Sequence, residues 1–214
     1  MYKAKKYPSI CHLPNSKHGR DDKGIQKGMA DYFESKYRPD TRIIVTEKVD
    51  GSNVSIFNDN GKIMALSRGG YDAEFSNYQH HREFAKWVKN LGNIGSSFIL
   101  PVGHRVIFED LSVPHGTIYK KIPKLLLIDW KTRDGRLPWE NIHFLGIPKV
   151  QVVYSGAVPV STDCINRVMP KKGFYGAKGG YEGLVYRMER FGEFQQLAKW
   201  VRSDCEPLKY LKKD

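Results

Sequence analysis

From Thr41 onward the apolar residues come in short, largely β-branched runs separated by turn signals, a pattern that commits most of the chain to strands. The runs are Ile43-Ile-Val-Thr46, Val54-Ser-Ile-Phe57, Lys62-Ile-Met-Ala-Leu66, Arg105-Val-Ile-Phe108, Leu125-Leu-Leu-Ile128, Val150-Gln-Val-Val-Tyr154, Gly183-Leu-Val-Tyr186 and Gln196-Leu-Ala-Lys-Trp-Val201. Asn58-Asp-Asn-Gly61 between two of them predicts a hairpin, since Asn and Gly tolerate the positive φ such turns need. Helical spacing is confined to about 25–37, where Ile25, Met29 and Phe33 recur, and to about 81–91, with Phe84, Val88 and Leu91 on one face and Gly92 as a stop. A short third helix is expected over 162–168, capped by Ser161. Strands joined by short turns predict an α+β fold of mostly antiparallel sheets with flanking helices, not a doubly wound sheet. Residues 1–40 are polar and punctuated and read as a lead-in segment to a single domain over 1–214.

A chain of 214 residues, 40% hydrophobic, buries a real core and is neither disordered nor disulfide-stapled. Lys and Arg outnumber Asp and Glu 35 to 23, and the net charge of +12 points to a polyanionic partner: nucleic acid, nucleotide or acidic membrane. Charge alone does not choose among them. Cys11, Cys164 and Cys205 form no C-x-x-C pair, so they support neither a disulfide framework nor a zinc cluster and read as reduced, intracellular thiols. Met1–Ser9 holds no apolar run, and no stretch of about 18 apolar residues occurs. The expectation is a soluble cytoplasmic protein with no membrane partner. The seven histidines lack metal-ligand spacing and read as solvated or satisfied; the four tryptophans read as core; the pairs Lys120-Lys121, Lys171-Lys172 and Lys212-Lys213 read as solvated.

The densest group of unusual residues is Glu47-Lys48-Val49-Asp50-Gly51-Ser52-Asn53, a lysine at a strand end followed by a turn whose glycine lets backbone approach a ligand. Such a lysine can serve as a nucleophile. Alone, the stretch also fits a solvated strand-end lysine before an ordinary Asp-Gly turn.

The order of later features separates the two. Lys48-Val-Asp50-Gly51 resembles motif I of the covalent lysine nucleotidyltransferases: ATP-dependent DNA and RNA ligases and capping guanylyltransferases. Ser67-Arg68-Gly69 resembles motif Ia, Phe108-Glu109-Asp-Leu111 stands where motif III has Gly-Glu, and Leu127-Ile128-Asp129 stands where motif IIIa has an aromatic before Asp. Glu182-Gly-Leu-Val-Tyr-Arg187 resembles motif IV, and Ala198-Lys199-Trp-Val-Arg202 resembles motif V. His12-Leu13-Pro14, Ser16, the 67–71 stretch and His115–Tyr119 make the chain most similar to the ATP-dependent RNA ligase family. Two departures stand out: Phe108 in place of the motif III glycine, and Ile128 in place of an aromatic that would stack on the purine.

The resemblance implies an ATP-grasp-like nucleotidyltransferase (adenylation) domain that seals 5′-phosphate and 3′-hydroxyl ends through a lysyl-AMP intermediate, the alternatives being an ATP-dependent DNA ligase or nick-sealing enzyme of mixed RNA and DNA specificity, and a catalytically weak nucleic-acid-binding module of the same fold. RNA or a nicked duplex is the implied partner, and ATP with Mg²⁺ or Mn²⁺ the implied cofactors. It implies Lys48 as nucleophile and a nucleotide site of Glu47, Lys48, Asp50, Gly51, Asn53, Arg68, Glu109, Ile128, Glu182, Lys199 and Arg202. Glu182 is expected on the metal, because magnesium prefers oxygen ligands, and Glu109 on a ribose hydroxyl. Only 12 residues follow Arg202, so no appended oligonucleotide-binding or helical domain is expected. Physical chemistry adds a requirement. A lysine amine attacks phosphorus only when neutral, and bringing its ordinary pKa of about 10.4 near neutrality takes about 4 kcal/mol, a role expected of Arg68, Lys199 and the metal.

Overall fold

The computed structural model describes residues 4–93 and 100–205. Within them, nine strands form two sheets. One has five strands in the order β1 (Cys11–His12), β9 (Glu193–Val201), β8 (Gly183–Arg190), β2 (Thr41–Lys48), β7 (Val152–Gly156). The other has four, in the order β4 (Lys62–Ser67), β3 (Ser52–Asp59), β5 (Arg105–Asp110), β6 (Leu125–Lys131). Every pairing is antiparallel except β1 with β9. The α+β, mostly antiparallel architecture is therefore as expected.

Three helices flank the sheets: α1 (Lys27–Glu34), α2 (Gln79–Asn93) and α3 (Thr162–Val168). The Ser161 side chain accepts the Cys164 N–H, so α3 begins where its cap predicts. α2 continues through Gly92 instead of stopping there, and α1 is shorter than its apolar spacing suggested. Among the described residues no helix is long and apolar enough to cross a membrane. The Lys212-Lys213 pair lies outside them.

Two apolar cores explain the strand sequences. In the first, α2 (Phe84, Ala85, Val88) packs with Ile44, Val54, Ile56, Val106 and Phe108; in the second, α1 and α3 (Ala30, Phe33, Ile165) cover Ile43, Val45, Leu184 and Tyr186. β2 is thus buried on both faces, which is why it carries the continuous run Ile43-Ile-Val45 where a half-exposed strand would alternate. Phe108 lies in β5, fully buried, its ring within 6.3 Å of those of Phe84, Trp87 and Phe144. The residue standing in for the motif III glycine is therefore a strand core residue, not part of a loop.

The predicted hairpin joins β3 to β4 through Asn60 and Gly61 at φ 50° and 94°, with Gly61 N–H donating to Asn58 Oδ1 at 2.7 Å. A second tight turn of the same kind, Phe191-Gly192 between β8 and β9, went unpredicted because Phe is a poor turn residue. The lead-in segment is more than a prelude: it supplies β1, which extends the five-stranded sheet alongside β9.

Candidate active site

The chain crosses from one sheet to the other at Val49–Gly51, between the end of β2 and the start of β3. Lys48 is therefore the last residue of its strand, opposite Gly183, and Glu182 just before Gly183 is brought beside it. Lys48 Nζ lies 2.5 Å from Glu182 Oε2, with both side chains largely buried. At the turn, a Cβ on Gly51 would stand 2.5 Å from the Asp110 carbonyl, so only glycine lets the two strands close. The Gly51 N–H then reaches Glu109 Oε1 at 3.1 Å, because β3 and β5 pair Asn53 with Glu109.

Lys48, Gly51 and Glu109, but not the Glu182 paired with Lys48, line a cavity of about 590 Å³, a volume that suits a small-molecule ligand. Its lining includes Lys48, Asp50, Gly51, Asn53, Arg68, Glu109, Ile128 and Lys199. Arg68 donates to Ser9 Oγ at 3.1 Å, and Lys199 Nζ lies 3.3 Å from Asp22 Oδ1. Ile128 offers an aliphatic wall together with Val150 and Val185.

Two of the sequence-derived residues are placed differently. Glu47 lines the cavity, but its carboxylate goes to the other side: Oε2 accepts the Phe174 N–H at 2.8 Å, on a loop that contributes nothing to the cavity. The reason is strand geometry, since adjacent residues of β2 point to opposite faces. Arg202 is the residue the structure sets apart. It lies past the end of β9, pairs with Asp204 at 2.6 Å, donates to the Tyr181 carbonyl at 3.0 Å, and faces a separate groove with Lys171 and Lys172.

The electrostatics also correct an expectation. Burial pushes the Lys48 ammonium down, but the carboxylates of Glu182, Glu109 and Asp50 outweigh burial and leave its pKa raised. The cations expected to depress it are engaged elsewhere, Arg68 with Ser9 and Lys199 with Asp22. Burial raises Glu109 to about 7, opposed by Lys48 and the Gly51 N–H, and raises Glu182 against the pull of Lys48.

Sequence reasoning missed one group in the cavity. Ser52 Oγ sits 2.7 Å from His80 Nε2 and 2.6 Å from His115 Nε2. Asp50 is held from the same side, its carboxylate accepting the Gly116 N–H at 2.6 Å and its own N–H donating to Tyr119 Oη at 2.8 Å. Burial lowers the pKa of both His81 (to about 4) and His115, so these rings are neutral near pH 7. A signal for His115 and Tyr119 was present, because the stretch between them resembles the family.

A buried lysine paired to a carboxylate, a second carboxylate across a sheet junction and two cations on the rim together define a nucleotidyltransferase-type ligase domain. The family model described as RNA ligase matches residues 41–201, and the chain belongs to that family. A search of curated proteins by sequence found no match. Among solved structures the fold is similar to an archaeal ATP-dependent RNA ligase, at 20% identity over 92% of this chain and 48% of that one, TM-score 0.58. It is also similar to a putative ATP-dependent DNA ligase from Aquifex aeolicus, at 20% identity over 92% of this chain and 50% of that one, TM-score 0.51. An RNA ligase of Naegleria gruberi, solved with pyrophosphate, matches at 12% identity over 94% of this chain and 58% of that one, TM-score 0.53. The chain spans about half the length of these proteins.

Proposed function

We propose that this chain is the adenylation domain of an ATP-dependent RNA ligase, with Lys48 as its nucleophile. The convergence of Lys48 and Glu109 on one cavity, with Glu182 paired to Lys48 and with Lys199 and Arg68 on the cavity wall, supports this reading most. The Lys48 amine, once deprotonated, attacks the α-phosphorus of ATP; an N–P bond forms, the bond to the bridging oxygen breaks, and pyrophosphate leaves with the electron pair. Lys199 and Arg68 face the region where that negative charge accumulates. AMP then passes to an RNA 5′-phosphate, and a 3′-hydroxyl displaces it to seal the strand, at an end or a nick.

The donor set fits magnesium or manganese. Among the described residues no three His, Cys, Asp or Glu side chains form a metal cage, while magnesium is ordinarily held by one or two carboxylates, waters and substrate phosphates. Glu182, with Asp50 close enough to act on it, would hold that cation, whose charge neutralises the phosphates and offsets the carboxylate pull on Lys48. Glu109, its pKa pushed up by burial and its carboxylate accepting the Gly51 N–H, would bond a sugar hydroxyl. Ile128 gives the base apolar contact in place of aromatic stacking.

The test is intact-mass measurement after incubation with ATP and Mg²⁺. The expected result is a covalent AMP adduct on the parent protein and none on Lys48→Ala; no adduct on the parent, or one that survives the substitution, refutes the reading. Sealing of RNA, DNA and hybrid nicks by the adenylylated protein then ranks the substrates.

A further inference from the structure

The residue that faces Lys199 comes from the lead-in segment, 177 positions away in the chain. That segment is fastened to β9 around Lys199 itself. His12 pairs with Lys199 in the β1–β9 register, Leu13 N–H donates to the Lys199 carbonyl at 2.7 Å, and Lys17 N–H donates to the Val201 carbonyl at 2.9 Å. The loop that follows is closed at its far end by His12 N–H to the Lys23 carbonyl and Ile25 N–H to the His12 carbonyl, both at 2.8 Å. Asp22 sits inside this closed loop.

Side chains continue the connection inward. Ser16 Oγ accepts the Val201 N–H at 2.9 Å and lies 2.6 Å from His12 Nδ1. Its own hydrogen is then free for Nδ1, which assigns the ring proton of His12 to Nε2. Nε2 faces Asp22 Oδ2 at 3.1 Å, and the Gly19 N–H donates to the same oxygen at 2.9 Å. The other oxygen, Oδ1, is left for Lys199 Nζ at 3.3 Å. His12 and Ser16 are buried, and the Lys199 side chain is only 15% exposed. Asp22 itself is partly exposed, its side chain at 31%, but the groups behind it are buried and need its charge to be satisfied.

We propose that Asp22, oriented by the Gly19 N–H and facing the buried His12 ring, is a positioning residue that holds the Lys199 ammonium in the cavity for the phosphates of the bound nucleotide. The need for it follows from the neighbourhood. Lys199 is partly buried with the Lys48 charge nearby, and both burial and Lys48 disfavour its ammonium, while Asp22 favours it. Lysine is a flexible point charge with large side-chain rotamer entropy, so without a fixed carboxylate it would swing to solvent and have to be re-ordered by each incoming nucleotide. A short carboxylate side chain that already accepts a backbone N–H of its own loop gives up less conformational freedom than the lysine it orders. This inference rests on the ligase reading, since it gives Lys199 phosphates to bind.

The experiment is a double-mutant cycle on ATP affinity, read by calorimetry with Mg²⁺ in the Lys48→Ala background so that binding is seen without chemistry. Asp22→Asn keeps the shape and removes the charge. The expected result is ATP binding roughly three- to tenfold weaker, recovered in large part by Asp22→Glu, with no further loss when Asp22→Asn is added to Lys199→Ala. That non-additivity is what a merely structural role for Asp22 does not produce. Unchanged or tighter binding in Asp22→Asn overturns the proposal, tighter binding making Asp22 a competitor of phosphate; so do losses that simply add. ATP bound with additive losses leaves the ligase reading standing, whereas no ATP binding and no AMP adduct on the parent protein removes both. Thermal melting of each variant accompanies the titrations, and a Glu variant that binds ATP like the parent answers any loss of folding in the Asn variant.

Discussion

Replacing Glu47 by glutamine should stabilise the protein, and the gain should appear only as the pH rises. The Glu47 side chain is buried behind β2, with Oε2 bonded to the Phe174 N–H and Oε1 without a partner. Desolvation is the dominant cause that raises its pKa to about 7, with the Phe174 N–H opposing. An acid whose folded pKa lies above its unfolded value of about 4.3 imposes no penalty below that value, and an increasing one as pH climbs to about 7, where the folded state must bury the charge. At about 1.4 kcal/mol per pH unit the limit is about 4 kcal/mol, and residual solvent screening brings the expectation to about 1–3 kcal/mol above pH 7. Glu47→Gln removes the charge and keeps an oxygen for Phe174. Urea unfolding at pH 4, 5, 6, 7 and 8 should find the variant close to the parent at pH 4 and progressively more stable up to about pH 7, with the difference level beyond. A difference that does not change with pH, or one favouring the parent at pH 8, would refute the assignment of a buried, unpaired carboxylate.

Phe108→Ala should cost about 3–5 kcal/mol, the range for emptying a fully buried aromatic site, read as a lowered urea midpoint; a loss under about 1 kcal/mol would mean that Phe84, Trp87 and Phe144 do not enclose it. If RNA is held by the surface carrying the +12 charge, its affinity should fall roughly a hundredfold between about 50 and 200 mM salt, as release of counterions from about five phosphates requires, and flat affinity in a filter-binding series would contradict this.

Much of the site could be read from the chain because its parts are local. A lysine before an Asp-Gly turn, a Glu-Gly ahead of an apolar run and an Asn-Gly hairpin are each decided within a few residues, and the fold has only to bring the pieces together. What could not be read depends on direction or distance. Glu47 and Lys48 are neighbours in sequence, and period-two geometry alone sends their side chains to opposite faces; that signal was present but unused. Arg202 follows the last residue of β9, where no strand register dictates where it points, and Asp204 and the Tyr181 carbonyl decide it. The carboxylate side of the Lys48 environment went unforeseen because charges were counted by motif, whereas charge acts by distance and Glu182, Glu109 and Asp50 lie close to it. His12 and Asp22 belong to a polar stretch with no periodicity, and their part emerges only when β1 pairs with β9.

The division of the site between two sheets has a mechanical consequence. Lys48, Glu182 and Lys199 all belong to β2, β8 and β9 or their ends, so one hydrogen-bonded ladder fixes their spacing. Glu109 and Ile128 come from β5 and β6 of the other sheet, and Arg68 from just beyond β4, so their distance from Lys48 depends on how the sheets meet. That junction is carried by charge as well as by apolar packing. Asp129 on β6, almost wholly buried, is held by Arg187 of β8 at 3.2 Å and by Arg136 at 2.6 Å, and it accepts from Tyr7 at 3.0 Å, while Glu189 takes the remaining edge of Arg187 at 2.7 Å. An apolar junction would tolerate sliding, but a buried ion cluster does not, because any offset leaves a charge without its partner in a medium of low dielectric. Asp129 therefore acts on the cavity without facing it: adjacent to Ile128 in the strand, it ties the register at which the four-stranded sheet, with Glu109 and Ile128 on it, stands opposite Lys48.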